Sequence, residues 1–297
     1  MERQLNAIIF AGQGAQYRGM GRDLFDEFEE LTERADRVLG YSIKALCLHD
    51  EERRLNRTRY TQPALFVTNM LHYLKFRKDG GAEPDFLAGH SLGEYSALYA
   101  AGAFDFETGL RLVQHRGELM DQAAGGAMAA ILNLSLDALN AARLEHLEGD
   151  IEIANFNSPT QHVVAGSVDA LATLKLLVEK CGGSFVPLNV SAAFHSHYMQ
   201  AAADRFGHIL RETEFEELRI PVISNLHARP YLPGEIRKNL QWQIRHPVRW
   251  TESLWYLLAQ GDVQIRELGP RAVLSKLVTQ TIEHGVPSSF CAAIGAT

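Results

Sequence analysis

Short apolar runs closed by glycine alternate along this chain with stretches of helical periodicity. That alternation predicts an α/β architecture with a mainly parallel sheet. Runs at 7–10, 86–88, 221–224 and 263–267 read as buried strands, and 62–78, 94–101, 107–120 and 251–260 read as the helices between them. The middle of the chain has another rhythm: strand 127–132, helix 136–147, strand 151–155, strand 161–165, helix 168–181, strand 185–190. This βαββαβ order is the ferredoxin-like signature. Gly125-Gly126 opens it and Ser191-Ala192-Ala193 closes it. The pattern therefore predicts a small ferredoxin-like domain, 125–191, inserted into a large discontinuous one, 1–124 and 192–297. A cleft between two such bodies is a usual place for a ligand.

Composition narrows the function classes. With 29 Lys+Arg against 36 Asp+Glu the net charge is -7, which disfavours a nucleic-acid partner. The three cysteines, Cys47, Cys181 and Cys291, have no CxxC spacing, so neither a disulfide framework nor a zinc site is expected. The longest stretch without Asp, Glu, Lys or Arg, 181–203, is broken by Gly, Pro, Asn, Ser and His, and a membrane span is not expected. Met1-Glu2-Arg3 leads into the first strand without an apolar leader, so the expectation is a cytoplasmic protein in a reducing environment.

Candidate chemistry begins at Gly89-His90-Ser91-Leu92-Gly93, a G-x-S-x-G segment after a strand and before a helix. That is the context of a nucleophile elbow, where Ser91 would project above the sheet with the following amides beside it. Composition alone would yield on the order of 0.1 such match, and a plain tight turn is the alternative reading. A serine nucleophile needs a base. Among 12 histidines, His195 in Ala192-Ala193-Phe194-His195-Ser196-His197 lies where the chain returns to the large domain, with His197 a rival and His90 read as structural. No carboxylate announces itself as a third member. Asp169 and Glu152 belong to elements of the insert, and a Ser-His dyad oriented by a neutral acceptor is expected instead.

Two further features belong to this chemistry. Phe10-Ala11-Gly12-Gln13-Gly14 brings a strand into a glycine turn whose amides could meet an oxyanion, while the ending of a phosphate loop is missing. On helix 107–120, Arg116 flanks the face formed by Leu110, Val113, Gly117 and Met120, with no acidic residue beside it there. An inward arginine of this kind calls for a ligand carboxylate held bidentately; the other reading is a surface arginine lying along its apolar stem.

Together these segments resemble the malonyl-CoA:acyl carrier protein transacylases, above all the stand-alone acyltransferases of modular polyketide synthases. The resemblance runs over nearly the whole chain. It is carried by Phe10-Ala11-Gly12-Gln13-Gly14, Gly89 to Ala97, Arg116-Gly117-Glu118-Leu119-Met120, Ala193-Phe194-His195-Ser196, Gln243 to Trp250 and Glu267-Leu268-Gly269-Pro270. It implies a hydrolase-like large domain with a ferredoxin-like insert, and roles residue by residue. Ser91 would be acylated, His195 would be its base, and the Gln243 carbonyl would orient the imidazole. Gln13 and Leu92 would supply oxyanion-hole amides, and Arg116 would clamp the acyl carboxylate. Phe194, as in malonyl-selective members, would crowd a 2-methyl branch. Ala11 stands where the family usually has Pro, which leaves the Gln13 amide available.

The implied reaction is ping-pong transfer from a coenzyme A thioester, malonyl-CoA, to the phosphopantetheine thiol of an acyl carrier protein, with no metal or redox cofactor. A proofreading acyl hydrolase on the same fold and a non-catalytic carrier-docking module are the alternatives. Charge is segregated for such a partner: 219–276 carries nine Lys+Arg and four Asp+Glu, a local +5 that leaves -12 elsewhere. Arg245, Arg249, Arg271 and Lys276 are the candidate docking cations, against the ordinary reading of a solvated surface.

Overall fold

Two sheets organise the molecule in the computed structural model, which describes residues 3–147 and 149–295. The first part of the chain gives β1 (Leu5–Phe10), α1 (Glu29–Leu39), α2 (Ile43–Leu48), α3 (Thr58–Lys78), β2 (Phe86–Gly89), α4 (Gly93–Ala100) and α5 (Phe106–Asp121). Next come β3 (Ala127–Leu132), α6 (Leu136–His146), β4 (Ile151–Ser158), β5 (Gln161–Gly166), α7 (Val168–Lys180) and β6 (Ser184–Pro187). The chain then forms α8 (Gln200–Glu212), β7 (Val222–Ile223), α9 (Ile236–Gln243), α10 (Trp250–Leu258), β8 (Val263–Leu268), α11 (Leu274–His284) and α12 (Ser288–Ile294).

The first sheet is parallel, in the order β7-β2-β1-β8. Ala7, Ile8, Ile9 and Phe10 are all buried because both faces of this central strand are covered, which is why the run reads as continuously apolar. Its register places Phe10 level with both Gly89 and Leu268. Three strands thus end together, and the loops that follow them gather at one carboxyl-terminal edge, where open α/β sheets place their ligands.

The second sheet is antiparallel, in the order β4-β5-β3-β6, so the predicted βαββαβ insert has the ferredoxin-like strand order. Its strands divide their side chains by the two-residue period. Ala129, Ile131 and Val164 enter a separate core with Leu139, Leu174 and Val178, while Met128, Val163 and Ala165 face the main core. Gly125 and Ala193, beside the expected joins at 125 and 191, meet through the Ala193 N–H donating to the Gly125 carbonyl at 3.3 Å. The sheets are also tied along β4, where Phe156 N–H donates to Val248 O and Val248 N–H to Ala154 O, both at 2.9 Å.

Most expected elements shift by one to a few residues, such as the strand expected at 151–155, which runs to Ser158, and two of the shifts have a clear local cause. The last strand of the insert stops at Pro187 rather than 190, because proline removes a ladder donor, and only Leu188 N–H, bonded to Met128 O at 2.9 Å, prolongs the pairing. The helix read from 62 begins at Thr58: Pro63 lies in its second turn, where it breaks one backbone bond without ending the helix, and Thr61 Oγ1 donates to Leu55 and Arg57 carbonyls.

Candidate active site

The elbow between β2 and α4 is made by steric necessity. A Cβ on Gly89 would lie 1.9 Å from the Gly93 carbonyl carbon, and one on Gly93 would lie 2.0 Å from Phe10 O. Only glycine lets the turn fold back on itself and pack against β1. Between them Ser91 takes a left-handed backbone with φ of 52°, a conformation costing a non-glycine residue about 1–2 kcal/mol. The surroundings hold it there: Ser91 N–H donates to Asn225 Oδ1 and Asn225 Nδ2 to Gly89 O, both at 2.7 Å.

His195 is the histidine brought to this serine. Ser91 Oγ lies 2.8 Å from His195 Nε2, and His195 Nδ1 lies 2.8 Å from Gln243 O and 3.2 Å from His246 O. Two carbonyls at Nδ1 can only accept, so Nδ1 carries the proton and Nε2 is left basic toward Ser91. Burial, and then the charge of Arg116, push the imidazole down to about 3, which keeps the resting ring neutral with Nε2 unprotonated. The rival His197 is exposed and bonds Glu152 through both its ring and its N–H. Asp169 is exposed in the first turn of α7, so neither carboxylate weighed as a third member approaches His195. His90 lines the cavity, but its Nε2 is 2.8 Å from Asn157 Oδ1 and its ring packs edge-on against Trp250.

The amides sort themselves by what already occupies them. Ser91 N–H is taken by Asn225, whereas Gln13 N–H and Leu92 N–H have no hydrogen-bond partner among the described residues. Both residues border the cavity that contains Ser91 Oγ. The Gln13 side chain turns instead to Thr58 Oγ1, at 3.3 Å.

Arg116 points inward from α5 and is 1% exposed. Its Nη2 donates to Ser91 Oγ at 3.1 Å and to Gln243 Oε1 at 2.9 Å, and its guanidinium lies 5.5 Å from the Tyr95 ring centre. Its Nε has no partner among the described residues. A buried cation with a vacant donor beside a serine hydroxyl is a receptor for an anionic group. The cavity at this point measures about 100 Å³ and is walled by Gln62, Met120, Met128, Leu188, Val190 and Phe194. That is room for a short acyl group, well below the roughly 300–1,000 Å³ of whole-ligand pockets.

Several side chains of the site had no role assigned from sequence, though Glu94 and Gln243 lie in segments that carry the resemblance. Glu94 is fully buried and accepts from Asn225 N–H at 2.9 Å, Tyr231 Oη at 2.7 Å and Gln243 Nε2 at 2.5 Å. Burial raises its carboxyl to about 7, against these donors and Arg116. Glu94 and Tyr231 are 137 positions apart, so only the fold joins them. The Gln243 side chain, unlike its carbonyl, also went unread; its Nε2 further donates to Ser91 O at 2.8 Å.

The four candidate docking cations lie outside this pocket in unlike settings. Arg249 pairs with Glu252, with Nε at 2.8 Å, and Arg245 bonds Gln200 while lying over the Trp242 ring. Arg271 and Lys276 are exposed, the former 4.9 Å from the Tyr17 ring centre. Glu267, in the Glu267-Leu268-Gly269-Pro270 segment, caps α11 by accepting from the N–H groups of Val273, Leu274 and Ser275. Among the described residues no three His, Cys, Asp or Glu are grouped to hold a metal ion, and no helix is long and apolar enough to cross a membrane.

The family model of the acyl transferase domain matches residues 7–297. A polyketide biosynthesis malonyl CoA-acyl carrier protein transacylase, BaeC of Bacillus velezensis, is 50% identical over 272 residues, 91% of this chain and 94% of that protein. The crystal structure of malonyl CoA-acyl carrier protein transacylase from Burkholderia pseudomallei superposes with a TM-score of 0.92 at 48% identity, covering 95% of this chain and 99% of the other. A malonyl-transacylase solved in complex with its type II polyketide synthase acyl-carrier protein has a TM-score of 0.90 at 36% identity, covering 99% and 100%.

Proposed function

The chain belongs to the acyl transferase domain family, and from that premise we propose how Ser91 and its neighbours perform malonyl transfer. The protein is a malonyl-CoA:acyl carrier protein transacylase of polyketide biosynthesis. Malonyl-CoA enters with its carboxylate toward Arg116. His195 Nε2 takes the Ser91 proton as Oγ attacks the thioester carbonyl, and the oxyanion meets the Gln13 and Leu92 amides. The intermediate collapses to a malonyl ester on Ser91, and the departing coenzyme A sulfur takes the proton from His195. In the second half the phosphopantetheine thiol of the carrier gives its proton to His195. Its sulfur attacks the ester, and Ser91 Oγ leaves and recovers the proton. Each half closes its own proton balance, with no cofactor besides the two thiol carriers.

The observation that carries this route is the placing of one serine hydroxyl between a base at 2.8 Å and a buried guanidinium at 3.1 Å. Arg116 also separates malonyl transfer from removal of uncharged acyl groups, which would have no use for that charge. For carrier docking we propose Arg271 and Lys276 first, then Arg245. Arg249 ranks last, because Glu252 already neutralises it.

The route is tested by peptide mapping after incubation with malonyl-CoA, followed by chase with holo carrier protein. The expected result is one malonyl ester at Ser91, cleared onto the carrier. An adduct elsewhere, or one that survives in Ser91→Ala, contradicts it.

A further inference from the structure

Arg116 is enclosed, yet its guanidinium contacts no carboxylate among the described residues. A buried charge needs compensation, but a carboxylate in direct contact would occupy the fork that has to receive the acyl carboxylate. The site supplies an intermediate solution. Gln243 Oε1 accepts from Arg116 Nη2 at 2.9 Å, and Nε2 of the same amide donates to Glu94 Oε2 at 2.5 Å. Glu94 is thus a counter-charge held one amide away.

The orientation of that amide is set by Glu94 together with the Ser91 carbonyl, to which the same Nε2 donates at 2.8 Å. Reversed, its NH2 would face the arginine donors and its oxygen would face the carboxylate, two unfavourable meetings among side chains that are all buried. Glu94 is itself fixed through Oε1 by Tyr231 Oη and Asn225 N–H. The backbone carbonyl of Gln243 also receives His195 Nδ1–H at 2.8 Å, so the same residue bears on both clamp and base.

We propose that Glu94, steadied by Tyr231, is the positioning residue for acyl selection: through the Gln243 amide it holds Arg116 aimed at the acyl carboxylate while leaving the guanidinium open to it. The proposal rests on the malonyl-transfer reading and deepens it.

The test compares single-turnover acylation of Ser91 by malonyl-CoA and acetyl-CoA in the wild type, Glu94→Gln, Tyr231→Phe, Arg116→Ala and the Glu94→Gln/Arg116→Ala double variant. Glu94→Gln places an amide where Gln243 needs an acceptor, and should reduce the malonyl-to-acetyl preference by about tenfold. Tyr231→Phe should reduce it roughly threefold in the same direction. The double variant should lose no more preference than Arg116→Ala, since the two residues act in series. Equal losses for both substrates, or losses in the double variant that multiply, would overturn the proposal. If Glu94→Gln does not fold, Tyr231→Phe decides, and an unchanged preference there overturns it. A wild type that does not prefer malonyl would overturn the functional reading and this one with it; a wild type that does, with variants that retain the preference, overturns this one alone.

Discussion

Arg116 and the arginines of 245–271 carry the same guanidinium within one chain, and their surroundings give it opposite uses. Arg116 is 1% exposed, has an unpartnered Nε and rests on neutral atoms of Ser91 and Gln243. Arg249 meets Glu252 directly, and Arg271 lies in solvent over an aromatic ring. In the interior a charge cannot be screened, so what it lacks becomes a demand on the ligand. At the surface water and salt satisfy most of that demand, and the charge contributes to encounter more than to hold. The comparison teaches that charge counts along the sequence locate neither: the local +5 of 219–276 omits the arginine nearest the chemistry.

The largest effects should come from the interior. His195→Ala removes the base and should slow Ser91 acylation by about 10²–10⁴-fold, while His197→Ala, whose ring is bound to Glu152, should change it little. Stopped-flow release of coenzyme A reads both, and the opposite ranking would exchange their roles. Arg116→Ala should next cost malonyl acylation about 2–5 kcal/mol, measured as kcat/KM against malonyl-CoA.

Arg116 also leaves a mark on pH dependence. Burial and Arg116 both disfavour the imidazolium of His195, held at about 3, so His195 itself should give no acid limb as pH falls from about 8 to about 5, and a decline near 7 with malonyl-CoA would belong to Glu94, whose carboxyl burial raises to about 7. Deleting Arg116 removes a repelling charge, raises the imidazole pKa and should move the acid limb to higher pH, followed with acetyl-CoA so that the clamp itself is not measured. An acid limb that stays in place would mean that desolvation alone sets the base.

Between interior and surface stands Phe194, buried in the cavity wall. Phe194→Ser should favour methylmalonyl-CoA over malonyl-CoA by roughly 1–3 kcal/mol relative to wild type, read by competition of the two thioesters. The smallest effect belongs to the rim. Arg271→Glu with Lys276→Glu should raise the KM for carrier protein several-fold at low salt, fading as salt rises, with self-acylation by malonyl-CoA unaffected. A carrier KM indifferent to both charge reversal and salt would place docking on another face.

What could be read from the sequence was local. The elbow at Ser91 is spelled by glycines two residues either side, because each is required within the same turn. The insert is legible because its strands and helices alternate within 61 residues, β3 to β6, and keep their own core. Helices α1, α8, α9 and α11 went unread although their buried residues recur at helical spacing, as Leu274, Leu277 and Thr281 do in α11, and the turns between β1 and α1 were not read because they take their shape from tertiary contacts. The network that aims Arg116 was invisible for the same reason. Glu94, Asn225, Tyr231 and Gln243 meet only after α4, the segment beyond β7 and α9 have packed, and a glutamate in an otherwise apolar helix carries no mark of the partners it will find.

The most direct measurement is a competition at a single serine. Wild type and Arg116→Ala, each mixed briefly with equal malonyl-CoA and acetyl-CoA, are resolved by intact-protein mass spectrometry. The buried guanidinium predicts that the wild type carries almost entirely the malonyl ester on Ser91 and that Arg116→Ala loses this bias, with acetyl gaining at its expense. A wild type acylated equally by both, or an Arg116→Ala variant that keeps the malonyl bias, would contradict it.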